Sequence, residues 1–121
     1  MKKKILLVDD EEWTKDALQV GLNPLQYELL YCNSVDSAIR RLKKTPGIQL
    51  IVLDLIMPGK SGFELLDYLQ AAKTKVQVVV LSAMDHADTA TQALKKGAID
   101  YITKPFNKYD IRTKILKYLE P

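Results

Sequence analysis

Leu50-Ile51-Val52-Leu53-Asp54-Leu55-Ile56-Met57-Pro58-Gly59-Lys60-Ser61-Gly62 holds an apolar run, Leu50 to Leu55, broken by one carboxylate and closed by turn residues. A short apolar run between turn signals reads as a buried strand covered on both faces, the kind found in parallel sheets. Asp54 sits near its C-terminal end, where open α/β sheets bind their ligands. A buried carboxylate is costly without a partner. The expected partners are a metal ion and a lysine, with Asp54 as a nucleophile for phosphoryl transfer.

Outward from this stretch, apolar and amphipathic runs alternate along the chain. Strands are expected at Lys4–Val8, Tyr27–Cys32, Leu50–Leu55, Val76–Leu81 and within Ala98–Thr103. Helices are expected at Thr14–Leu22, from a Ser34 cap through Leu42, at Gly62–Ala72, Asp85–Lys96 and Lys108–Leu119. Asn23-Pro24, Thr45-Pro46-Gly47 and Gly97 supply helix stops. Five β-then-α units imply a parallel sheet with helices on both faces, and the flavodoxin-like, doubly wound order 2-1-3-4-5 is the leading arrangement.

In that order the ends of strands one, three, four and five meet. They carry Asp9-Asp10, Asp54, Ser82 and Thr103-Lys104-Pro105. Clustered carboxylates repel unless a cation is bound. Oxygen-only ligands suit a hard ion, Mg²⁺ or Mn²⁺. A carboxylate nucleophile, a divalent ion, a lysine and a hydroxyl are what phosphoryl transfer requires, because its catalysis is mostly positioning and charge neutralisation. Plainer roles exist for single residues. Ser82 taken alone reads as a helix cap, Lys104 as a solvated lysine and His86 as solvated. Glu11 and Glu12 read as acids favouring a helix N-terminus, and the last helix's tyrosines as packing. Convergence of the strand ends carries the case. Gly59-Lys60-Ser61 resembles the end of a P-loop, but the required earlier glycine falls on Asp54. A haloacid-dehalogenase-type phosphatase would need a second acid where Ile56 stands.

The 121 residues suffice for one domain, expected over 1–121, and 47% hydrophobic with 27% charged residues is a globular balance. A net charge of +3 is too small for a basic nucleic-acid face, so direct nucleic-acid binding is not expected. The lone Cys32 rules out an internal disulfide and reads as a small core residue. With no apolar run of membrane-span length and no secretory leader pattern, the expectation is no membrane association and a cytoplasmic location.

Four segments, VDDEE at Val8–Glu12, LDLIMPGKSG at Leu53–Gly62, LSA at Leu81–Ala83 and GAIDYITKPF at Gly97–Phe106, resemble the receiver domain of bacterial two-component response regulators (CheY-like). The resemblance covers essentially the whole chain. It implies that Asp54 is phosphorylated by a sensor histidine kinase or phosphotransfer protein. Asp10 and Asp54 would bind Mg²⁺ directly, Asp9 through water, and the Ile56 carbonyl would complete the protein ligands. Ser82 and Lys104 would hold the phosphoryl group, and Tyr101 would be the switch aromatic. A cis Lys104–Pro105 bond is implied as well. Ile56 and Met84 would flank the hydrolytic water and, being apolar, prolong the phosphorylated state. Such a protein is no enzyme beyond catalysing its own phosphorylation and dephosphorylation. Its output would be a downstream effector domain or protein, with a phosphorylation-dependent homodimer left open. The competing reading is a phosphorylation-independent pseudo-receiver that serves only as an interaction module.

Overall fold

The computed structural model describes residues 2–83 and 87–119, apart from the side chains of 108 and 110. The elements are β1 (Lys3–Val8), α1 (Glu12–Gly21), β2 (Tyr27–Cys32), α2 (Val35–Lys44), β3 (Ile48–Leu53), α3 (Gly62–Ala71), β4 (Gln77–Ser82), α4 (Ala87–Lys95), β5 (Asp100–Thr103) and α5 (Lys108–Leu119). The strands form one parallel sheet in the order β2-β1-β3-β4-β5. The expected flavodoxin-like arrangement is therefore the observed one.

Alternation along β3 explains why its sequence is apolar throughout. Leu50 and Val52 face a layer containing Ile5, Leu7, Val79 and Leu81 with Leu18 of α1 and Ile111 and Ile115 of α5. Ile51 and Leu53 face the other layer, with Leu6, Val8, Val78 and Val80 against Val35 and Ala38 of α2, Leu65 and Leu66 of α3 and Ala93 of α4. Side chains of successive strand residues point to opposite faces, so a strand sandwiched between helices has no polar side to show. Cys32 is buried in the α2–α3 layer, as a core residue should be.

Some boundaries differ from the sequence expectation. β3 starts two residues earlier and stops before Asp54, so Asp54 and the buried Leu55 belong to the loop above the sheet. β4 is shifted one residue later, which makes Ser82 its last member, and β5 begins only at Asp100. α1 begins at Glu12 rather than Thr14. The expected first residues of the fourth helix, Asp85 and His86, lie outside the described residues. Ser34 caps α2 as expected, accepting a hydrogen bond from the Ser37 amide at 3.1 Å. Among the described residues no helix is long and apolar enough to cross a membrane.

Candidate functional site at the carboxyl edge of the sheet

β1 feeds β2 on one side of the sheet and β3 lies on the other, so the chain reverses its winding between β1 and β3. Such a reversal leaves a crevice beyond the strand ends. Three residues there are held by the sheet's own hydrogen-bond ladder. The Asp9 amide donates to the Cys32 carbonyl at 3.0 Å, Asp54 to Val8 at 2.9 Å, and Lys104 to Ser82 at 2.8 Å. Each lies one residue past its strand and bonds the last residue of the neighbouring one. The backbone positions of these three candidate site residues are thereby set by the sheet's pairing.

Their side chains meet. Lys104 Nζ donates to Asp9 Oδ2 at 2.8 Å and to Asp54 Oδ2 at 3.1 Å, and all three residues are buried. Asp54 Oδ1 accepts the Ile56 amide at 2.9 Å. Asp9 Oδ1 accepts the Glu11 amide at 2.9 Å. Both oxygens of Asp9 are thus engaged within the protein, whereas Asp10 next to it is exposed. Ser82 ends β4 with no exposure, opposite Thr103 of β5. Tyr101 lies on β5, half-buried against the α4 side of the core. The Lys104–Pro105 bond is cis. Ile56 is 46% exposed at the rim. Met84 lies outside the described residues.

Gly62 explains why α3 can start so close to Asp54. A Cβ at this position would come within 2.5 Å of the Asp54 carbonyl oxygen and 2.9 Å of Leu55 Cα. Only glycine lets the first turn of α3 lie on the Asp54 loop, where the Gly62 amide donates to the Leu55 carbonyl at 3.1 Å.

The family model described as the response regulator receiver domain matches residues 5–116. The chain belongs to this family. It is 33% identical over 95% of its length to the alkaline phosphatase synthesis transcriptional regulatory protein PhoP of Bacillus subtilis (strain 168), covering 48% of that protein. It is 31% identical over 95% of its length to the phosphate regulon transcriptional regulatory protein PhoB of Escherichia coli (strain K12), covering 51% of it. The chain therefore spans about half the length of each of these two relatives. The signal receiver domain of a putative Luxo repressor protein from Vibrio parahaemolyticus superimposes with a TM-score of 0.91 at 26% identity, over 99% of this chain and 92% of that one.

Two residues of this receiver's site were not legible as site residues. Glu11 stands at the N-cap of α1 but makes no side-chain cap bond. Its Oε1 instead accepts from Lys104 Nζ at 3.1 Å, which corrects the reading of Glu11 as a helix-dipole acid alone. Trp13 donates from Nε1 to Glu11 Oε2 at 2.6 Å, stacks on Phe106 with ring centroids 5.4 Å apart, and lies 5.4 Å from Lys104 Nζ. The sequence separation of 93 between Glu11 and Lys104 hides this contact. A further correction concerns α5, where Tyr118 packs at the core edge but Tyr109 is 63% exposed.

The Lys104 ammonium offsets part of the negative charge at the receiver's site. Burial alone would lower the Lys104 pKa, but the hydrogen bond to Asp9, the charges of Asp54 and Asp9 and the bond to Glu11 bring it up to about 12. Burial pushes the Asp54 carboxyl above its ordinary value, against the opposing pull of the Ile56 amide and Lys104. The Trp13 and Lys104 hydrogen bonds draw Glu11 below the ordinary carboxylate range. Carboxylate oxygens of Asp9, Asp10, Glu11 and Asp54 all lie within 4.8 Å of one another. An oxygen-only set carrying more negative charge than Lys104 neutralises fits a hard divalent cation.

Proposed function

We propose that Asp54 accepts a phosphoryl group from a histidine kinase or phosphotransfer protein, in a reaction that depends on Mg²⁺ or Mn²⁺, and that residues 1–121 work as one receiver unit. The observation that carries this reading is the buried Asp54–Lys104 contact at 3.1 Å inside a group of carboxylates. An Asp54 carboxylate oxygen attacks phosphorus. The bond from phosphorus to the donor's imidazole nitrogen breaks as the new P–O bond forms, and the nitrogen keeps the electron pair. Lys104 and the Ser82 hydroxyl take up the phosphoryl oxygens, the role such donors play where negative charge is transferred.

Asp10 and Asp54, with the Ile56 carbonyl, would hold the divalent ion directly. Asp9, both of whose oxygens are already engaged, would act through water. Bound there, the ion supplies charge neutralisation between the carboxylates and the phosphoryl oxygens. Added phosphoryl charge then draws the Ser82 hydroxyl inward and frees space for the half-buried Tyr101 ring. The altered surface is read by an effector. As a signalling module of the cytoplasm the receiver would catalyse only its own phosphorylation and dephosphorylation.

Incubation with acetyl phosphate and Mg²⁺ should add one phosphoryl group by intact mass, and Asp54→Ala should abolish the gain. Labelling of Asp54→Ala at the parent's level would sink this reading, and absence of labelling in the parent would favour the pseudo-receiver. Ile56, apolar at the rim, cannot orient a hydrolytic water, so Ile56→Asn should hasten decay of the phosphorylated form after donor removal. The gain should stay short of the roughly 10²–10⁴-fold of a fully developed acid–base group.

A further inference from the structure

We propose that Glu11 is a positioning residue that competes with the phosphoryl group for Lys104. The inference rests on the reading of Asp54 as phosphoacceptor and concerns what must give way when the phosphoryl group arrives. A lysine ammonium has three N–H donors and accepts nothing. In this receiver the Lys104 donors go to Asp9 at 2.8 Å, Glu11 at 3.1 Å and Asp54 at 3.1 Å. A phosphoryl oxygen is a fourth acceptor, so one contact is displaced.

Burial decides which one. Asp9 is fully buried, and leaving its carboxylate without the ammonium would strand a charge away from water. Asp54 carries the phosphoryl group and stays beside Lys104 in any event. The Glu11 side chain is 47% exposed, so water can replace Lys104 on it at little cost. Yet Glu11 is not a loose rim charge. Its Oε2 is held at 2.6 Å by Trp13 Nε1, and Trp13 is braced by stacking on Phe106. The aromatic pair presents the Glu11 carboxylate to Lys104 whenever the phosphoryl group is absent. Glu11 therefore favours the unphosphorylated receiver, and its removal shifts the balance the other way.

The test is the affinity of the full chain for beryllofluoride, a phosphoryl mimic. It is followed by emission of Trp13, the single tryptophan, with calorimetry alongside. Each variant is measured at saturating Mg²⁺, because removing a carboxylate also alters metal affinity. Glu11→Gln removes the charge, Glu11→Asp keeps the charge but shortens the reach, and Glu12→Gln removes a neighbouring charge. Both Glu11 variants should bind beryllofluoride about two- to fivefold more tightly than the parent, the scale of a half-exposed ion pair. They should also label faster with acetyl phosphate, while Glu12→Gln matches the parent. Equal or weaker binding in the Glu11 variants overturns the proposal. So does a gain shared by Glu12→Gln, or one confined to Glu11→Gln, since either assigns the effect to bulk charge. If Glu11→Gln fails to fold, Glu11→Asp carries the comparison. A parent that binds no beryllofluoride, or an Asp54→Ala variant that binds it equally, would instead remove the phosphoacceptor reading and this inference with it.

Discussion

Gly62 shows how one missing methyl group sets the geometry of the acid cluster. Its contact with the Asp54 carbonyl leaves no space for a side chain, so Gly62→Ala must move either α3 or the Asp54 loop. Overpacking of this kind costs about 1–3 kcal/mol, and misplacement of reacting groups by about 1 Å can cost roughly a hundredfold in rate. Denaturant unfolding of Gly62→Ala should show the loss of stability, and acetyl phosphate labelling should be slowed by more than that loss explains. Thr14 poses the opposite case. Its hydroxyl is buried with no hydrogen-bond partner among the described residues. Valine keeps the shape and removes the unpaired group, so Thr14→Val should be neutral or stabilising by about 1 kcal/mol, read from the denaturation midpoint. A clear destabilisation would mean that the hydroxyl has an ordered water as partner.

At the scale of elements, α5 is tied to β5 by a polar contact at the sheet edge. Tyr118 donates its hydroxyl to Asp100 Oδ2 at 2.8 Å, and Asp100 Oδ1 also accepts the Tyr101 amide at 2.8 Å. The bond to Asp100, aided by burial, holds the Tyr118 phenol above its ordinary value of 10.0. A group whose pKa is raised by folding contributes fully below the unfolded value and loses that contribution as pH rises through the folded one. Tyr118→Phe should therefore destabilise the protein near neutral pH, toward the lower end of about 0.5–1.5 kcal/mol for this half-exposed bond. Its deficit relative to the parent should close above pH 10; a deficit independent of alkaline pH would assign the loss to packing. The strands were legible in the sequence because burial on both faces leaves runs such as Leu50–Leu53 and Val78–Leu81 without a polar residue. Their ends were less so, since Ile48 and Ser82 belong to β3 and β4 through backbone pairing that side chains do not announce. The convergence of Asp9, Asp54, Ser82 and Lys104 could be read because each lies at or just beyond a strand end and the strand order was inferable. Glu11 and Trp13 escaped because their contacts depend on where the β5–α5 loop brings Lys104 and Phe106.

For the whole molecule, the carboxyl edge is a concentration of negative charge held above one end of the core. Burial raises the Asp54 pKa, so the folded protein binds that proton more tightly than the unfolded chain, and ionisation at neutral pH works against folding. A divalent cation that binds only the native state should offset this, by about 2.7 kcal/mol at a hundredfold excess over its dissociation constant. Millimolar Mg²⁺ should raise the melting temperature, chelation should reverse the rise, and Asp10→Ala should diminish it. An undiminished rise in Asp10→Ala would take Asp10 out of the metal site. The hydrogen bonds by which Asp9, Asp54 and Lys104 prolong the sheet ladder bear on time rather than energy. A backbone amide inside such a ladder trades its hydrogen with solvent only when the surrounding unit opens, and central strands are among the last to do so. The amides of Asp9 and Asp54, which prolong the interior strands β1 and β3, should accordingly exchange on the slow timescale of global unfolding, while that of Lys104 past the edge strand β5 and the exposed flank of α4 exchange faster. Asp54 would then sit on the slowest clock in the molecule and the signal it sends on a faster one.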